Sequence, residues 1–174
     1  MLLLNWHSTQ SSNTAAAAPP CQPSSQPIAE AIRKAISLGV DAINISLTLK
    51  EDTETVDAIH DAAKKGILVV LAAGNDGLNH PRNLKVARAA YPNAVLVGAV
   101  DSAGEVWEKT NRPAQRSFPY HYSWQLGVGV PTALADGRAA RATGTSFAAP
   151  IETARRLKSS AASAAGQRLA QSQS

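Results

Sequence analysis

The sequence predicts an α/β domain built on a parallel β-sheet flanked by helices. Three observations carry that expectation. Apolar residues alternate along the chain between helical spacing, one every three or four positions, and short unbroken runs, with only short links between them. Two of those runs, residues 67–73 and 94–100, are apolar at nearly every position, as in strands covered on both faces of a parallel sheet. Helices and strands alternating in this way form βαβ units with right-handed crossovers. At 174 residues, 44% of them hydrophobic, the chain has material for one domain with a moderate core.

Residues 8–27 are rich in Ser, Gln, Ala and Pro without periodicity, which predicts a disordered lead-in over 1–27. From Ile28 the spacing of Ile28, Ala31, Ile32, Ala35 and Ile36 predicts a helix closed by Gly39. Residues 42–47 read as a strand. A second helix follows, capped by Asp52 or Thr53, with Val56, Ile59 and Ala63 inward and Gly66 at its end. Strands over 67–73 and 94–100 bracket the turn chemistry of Asp76-Gly77 and Asn79-His80-Pro81. Residues 102–130, with Pro113 and Pro119, read as loops with short strands at most. The run Gly144-Thr145-Ser146-Phe147-Ala148-Ala149-Pro150 opens a helix-competent stretch, and Pro150 is expected within its first turn, where no intrahelical bond is lost. Residues 155–174 read as a polar Ser/Ala/Gln tail. The charges of Glu152, Arg155, Arg156 and Lys158 imply either a helix that is exposed or a chain that departs from its ancestral pattern here, since burying them unpaired is costly.

The net charge is +4, with Lys and Arg scattered and no aromatics interleaved, so solvated surface is expected rather than a nucleic-acid partner. No apolar run approaches the ~20 residues that span a bilayer, and no membrane partner is expected. Met1-Leu2-Leu3-Leu4 is shorter than a signal-peptide core of about 7–15 residues and lacks a basic flank. The single cysteine, Cys21, excludes an internal disulfide. Asn44-Ile45-Ser46 fits the glycosylation pattern but falls in a predicted buried strand, which discounts it.

Two positions carry chemistry. Ser146 sits at a predicted helix N-terminus, where free backbone N–H groups and the positive dipole end favour a developing negative charge. Taken alone, it reads as an ordinary capping serine, which is the commoner case. Asn75 follows an apolar strand at the carboxyl edge of the sheet, where α/β proteins place their ligands, although Gly-Asn-Asp-Gly is also a plain turn.

Four blocks in order decide between these readings. Gly144-Thr145-Ser146-Phe147-Ala148-Ala149-Pro150 resembles the nucleophile motif of the subtilisin-like serine proteases. Val69-Val70-Leu71-Ala72-Ala73-Gly74-Asn75 resembles the strand and turn bearing that family's oxyanion-hole asparagine. Gly39-Val40-Asp41-Ala42-Ile43-Asn44-Ile45-Ser46-Leu47 resembles the strand whose Ser-Leu end lines the substrate cleft, and the block from Tyr91-Pro92 to Val100-Asp101 is similar to a further family strand. The resemblance spans roughly residues 28–154. It implies a subtilisin-like fold incomplete at the N-terminus, with a sheet edge left unpaired. It also implies a serine endopeptidase with Ser146 as nucleophile, Asn75 as oxyanion donor, and Ser46, Leu47, Ala73 and Gly74 holding a peptide or protein substrate. A second chain completing the sheet is a further expected partner. Thr48 stands where the family has glycine, and Gly127-Val128-Gly129-Val130 resembles a degraded form of the strand before the nucleophile.

A serine nucleophile needs an imidazole and an orienting carboxylate. The family's Asp and His blocks, which precede the Ser-Leu strand, are absent. His7-Ser8-Thr9 is the only trace of the histidine block; His60 reads as solvated, and His80 and His121 as loop residues. No His, Asp or Glu spacing suggests a metal site, and no cofactor is expected. The alternatives are a non-catalytic peptide-binding homologue and a truncated fragment.

Overall fold

The computed structural model describes residues 2–4, 26–114 and 119–171. Its elements are β1 (Leu2–Leu4), α1 (Gln26–Ser37), β2 (Ala42–Ile45), α2 (Thr53–Lys64), β3 (Leu68–Ala72), α3 (Leu84–Ala89), β4 (Ala94–Val100), β5 (His121–Leu126), β6 (Val130–Ala133), β7 (Ala139–Ala142) and α4 (Thr145–Gln171). Strands β1 to β5 form one parallel sheet in chain order, and β6 pairs with β7 in a separate antiparallel hairpin. The α/β class expected from the sequence is the one observed. His7 and Cys21 lie outside the described residues.

The unbroken apolar runs follow from the layering. Successive strand residues point to opposite faces, so a sheet covered on both sides needs apolar residues at every position. Ile43, Ile45, Val69, Leu71 and Leu96 pack on one face with Ala29, Ile32 and Ala35 of α1, Ala58, Ile59 and Ala62 of α2, and Val86 and Ala87 of α3. Val70, Val95, Val97 and Ala99 pack on the other face with Ala148 and Ala149 of α4. Of the two caps considered for α2, Asp52 is the one used: its carboxylate accepts the Thr55 N–H at 3.0 Å.

The structure corrects several expectations. Within residues 102–130, β5 pairs with β4 from His121 to Leu126, so His121 begins a strand and stacks on Tyr91 rather than lying in a loop. Its side chains are mostly half-buried, and the polar sequence hides a strand that caps the edge of the sheet. Gly98 makes room for it: Tyr122 and Trp124 occupy the space a Cβ there would need. Of the run 127–130, only Val130 is in a strand. Gly127 instead ties the sheet to the next helix, its N–H donating to Val100 O at 2.9 Å and its carbonyl accepting the Gly144 N–H at 2.8 Å. Strand β1 covers β2, and among the described residues β1 itself has no partner on its outer side, so the unpaired sheet edge lies at β1. Helix α3 and the β6–β7 hairpin had no counterpart in the sequence reading.

Helix α4 overturns one further expectation and decides another. Pro150 lies inside the helix, beyond the first turn. Glu152 is fully buried rather than exposed, because its carboxylate is paired: Arg155 Nε and Nη2 donate at 2.7 and 2.8 Å, and Arg156 Nε at 2.7 Å. Gln125 of β5 adds a longer contact at 3.4 Å. Burial alone would raise the Glu152 pKa, but hydrogen bonds from Arg155, Arg156 and Ser123 outweigh it and bring the group down to about 2. A depressed carboxylate contributes stability that is complete above its ordinary value of 4.5 and fades as pH falls towards about 2. The exposed arginine partners moderate the magnitude. We expect Glu152→Gln to lower the unfolding free energy by about 1–3 kcal/mol at neutral pH. In urea titrations that deficit should shrink as the pH falls from 4.5 towards about 2, the range in which the unfolded chain takes up the proton first.

Candidate active site

The carboxyl ends of β2 and β3 and the first turn of α4 meet at one point. Three hydrogen bonds through Thr145 fix that meeting. Its N–H and its hydroxyl each donate to Asn75 Oδ1 at 2.9 Å, and its Oγ1 accepts the Gly74 N–H at 3.1 Å. Thr145 is fully buried, whereas Asn75 is exposed. With two donors on Oδ1, the amide orientation of Asn75 is determined, and its Nδ2 lies on the side of Gly144, 3.3 Å from where a Cβ would stand. Among the described residues, neither Asn75 Nδ2 nor the Ser146 N–H has an acceptor. Two free donors therefore sit at the positive end of a long helix that has no acidic residue in its first turn.

Ser146, the second residue of α4, is half-buried and forms a reciprocal pair with Ser46. Ser146 Oγ donates to Ser46 O at 3.1 Å, and Ser46 Oγ donates to Ser146 O at 2.9 Å. The second bond follows from Pro150, which has no N–H to give the carbonyl four residues before it. Ser46 supplies the missing donor.

The loop after β3 is braced from beneath. Gly74 adopts φ +103°, and a Cβ there would overlap the Asn111 side chain and stand 2.7 Å from Arg82 Cγ. Asn111 Oδ1 accepts the Asp76 and Leu78 N–H groups, both at 3.0 Å, while its own N–H donates to Gly74 O at 2.9 Å. Hydrogen bonds from Arg82 and then Asn111 hold the Asp76 carboxyl below its ordinary range. The Tyr122 hydroxyl donates to Asn111 O, and burial pushes that phenol's pKa up.

Asn83 joins the two strand ends. Held at φ 60° and 2% exposed, it donates from Nδ2 to Leu47 O at 2.8 Å and Ala72 O at 3.0 Å, and accepts the Leu49 N–H at 2.8 Å. The sequence reading missed Asn83, Asn111 and Thr145. An asparagine ahead of the apolar spacing of α3 was a visible signal of a helix start. Its three long-range bonds were not visible.

The other expected site residues fall around this centre. Ser46 and Leu47 leave β2 beside Ser146, and Ala73 and Gly74 lead to Asn75. The Ala73 N–H is spent on Val97 O at 3.0 Å and the Gly74 N–H on Thr145, so neither has a donor for an added strand. His60 and His80 are exposed, and among the described residues no imidazole or carboxylate hydrogen-bonds to Ser146 Oγ. No group of three or more His, Cys, Asp or Glu among the described residues is placed to hold a metal ion, and no helix there is long and apolar enough to cross a membrane.

Residues 13–155 match the profile of the Subtilase family. The chain belongs to that family. It is 34% identical over 125 residues to the major intracellular serine protease of Bacillus subtilis (strain 168), covering 71% of this chain and 38% of the relative. It is 34% identical over 128 residues to the thermophilic serine proteinase of Bacillus sp. (strain AK1), covering 71% of this chain and 29% of that one. This subtilase chain therefore spans well under half the length of these relatives. Among solved structures it resembles the prenylagaramide maturation protease PagA, with a TM-score of 0.64 at 27% identity over 78% of this chain and 48% of that one. The PatG macrocyclase in complex with peptide gives a TM-score of 0.63 at 26% identity over 75% of this chain and 39% of its own.

Two substitutions test this geometry. Gly74→Ala forces a Cβ into Asn111 at a backbone angle that side chains rarely adopt, and we expect a loss of about 2 kcal/mol or more by thermal denaturation. Asn83→Ala leaves two carbonyls and one N–H without their partner, and its cost should reach about 2–3 kcal/mol. A denaturation midpoint unchanged in either variant would contradict the bracing described.

Proposed function

We propose that this subtilase chain carries the acyl-transfer half of a serine endopeptidase site. Ser146 Oγ attacks the carbonyl carbon of a peptide bond and gives its proton to a base. The carbonyl oxygen becomes an oxyanion received by the Ser146 N–H and Asn75 Nδ2. Collapse expels the amine, whose nitrogen takes the proton back from the base, and leaves an ester on Ser146 that water then hydrolyses. The observation that carries this reading is the Asn75 amide: Thr145 occupies its oxygen from both donors, which leaves the nitrogen free beside the nucleophile's helix terminus.

The base lies outside the described residues. His7 is the one histidine of this chain in that position, and a second polypeptide is the other source. The substrate is an extended peptide laid against Ser46 and Leu47. Ala73 and Gly74 form its opposite wall by shape, because their N–H groups are engaged. The occupied peptide complex of the PatG macrocyclase supports a peptide as the ligand class. We assign the catalytic unit to residues 28–154, with 1–27 as lead-in and 155–174 as tail.

A second reading, a peptide-binding homologue without turnover, is favoured by one observation: Ser146 gives its proton to Ser46 O instead of a base. Reaction of the purified chain with a serine-directed fluorophosphonate separates the two. Labelling that disappears in Ser146→Ala supports the endopeptidase reading, and Asn75→Ala should then lower peptide turnover by about 10²–10³-fold. A folded chain that does not label, yet binds an uncleaved peptide in calorimetry, supports the second reading.

A further inference from the structure

A buried polar chain runs from the middle of α4 back to its reactive end through β2. Thr153, fully buried, lies seven residues after Ser146 on the same helix face, and Asn44 and Ser46 share one face of the strand opposite. Thr153 Oγ1 is 3.2 Å from Asn44 Oδ1 and 2.9 Å from Ala149 O, so its single proton is shared between them. Asn44 Nδ2 donates to Ser46 Oγ at 3.1 Å, and Ser46 Oγ donates to Ser146 O at 2.9 Å. The direction of every link is fixed. Ser46 has one proton and spends it on the carbonyl that Pro150 leaves without a partner, so it must accept from Asn44. The amide of Asn44 then presents its oxygen to Thr153, which must donate. Asn44 is 2% exposed, so no water stands in for a missing member.

We propose that Thr153 and Asn44 are positioning residues for Ser146. They act through Ser46: Thr153 orients the Asn44 amide, the amide orients the Ser46 hydroxyl, and that hydroxyl seats the first turn of α4 against β2. The backbone of Ser146 is thereby held while its own hydroxyl stays free to turn from Ser46 O towards a base. This rests on the reading of Ser146 as nucleophile, but the relay itself is measurable without any turnover.

The test is Thr153→Val, which keeps the volume and removes the hydroxyl, with Thr153→Ser as rescue. Chain carrying carbonyl-13C serine and 15N-phenylalanine gives two coupled NMR signals, Ser117–Phe118 and Ser146–Phe147, and Ser146→Ala identifies the second. Ser46→Ala, which deletes the donor directly, defines how far the Ser146 carbonyl moves when unbonded. We expect Thr153→Val to move that signal part of the way, Thr153→Ser to restore it, and the Ser117 signal to stay in place. Fluorophosphonate labelling should slow about three- to tenfold in Thr153→Val and recover in Thr153→Ser. A Ser146 carbonyl unmoved in Thr153→Val, or unmoved in Ser46→Ala, overturns the relay. Absence of labelling in the unaltered chain overturns the endopeptidase reading instead, and the carbonyl shift still decides the relay.

Discussion

Everything near the candidate site depends on Thr145. Its amide and hydroxyl hold Asn75, its oxygen takes the Gly74 N–H, and through these bonds the end of β3 is sewn to the start of α4. A side chain one residue before Ser146 thus sets both the direction of the asparagine amide and the place of the helix. Thr145 itself is fully buried, so breaking one of these bonds leaves a desolvated group on its side. Gly144 permits the contact, since any Cβ there would press on Asn75.

Much of this was legible from residue types. The apolar runs at 67–73 and 94–100 have one physical cause, a sheet covered on both faces, and their strands fell where expected. Ser146 and Asn75 stood out through the motif blocks they belong to, since a helix start and a strand end alone read as a cap and a turn. What stayed hidden depends on partners far along the chain. β5 is stabilised by pairing with β4 and by aromatic packing over Gly98, so its own sequence, His121 to Leu126, shows little strand pattern. Glu152 reads as a surface charge until its arginines are seen closing over it. Pro150 reads as a first-turn residue because sequence rules weigh the lost intrahelical bond and cannot see Ser46 replacing it. Asn83 looks like a helix start, and its role in joining β2 to β3 exists only once the strands are side by side.

The polar residues buried between α4 and β2 contrast with the apolar contacts elsewhere on the sheet. Asn44 and Thr153 form no part of either apolar cluster, and their bonds are directional where dispersion is not. A hydrocarbon contact at that point would tolerate the helix sliding or rotating by a fraction of an ångström. Hydrogen bonds with assigned donors do not, and they coincide with the place where position matters for chemistry.

The two faces of the sheet are unequally built. Three helices and many large aliphatic side chains cover one face, whereas α4 contributes mainly Ala148 and Ala149 to the other. The chain therefore divides into a thick scaffold layer and a thin reactive layer. Small side chains at this seam let the α4 backbone lie close over Val70, Val95 and Val97, which it covers completely. That closeness brings the first turn of α4 within direct hydrogen-bond reach of two strand ends, so short side chains such as Thr145 and Ser46 suffice to bridge helix and sheet.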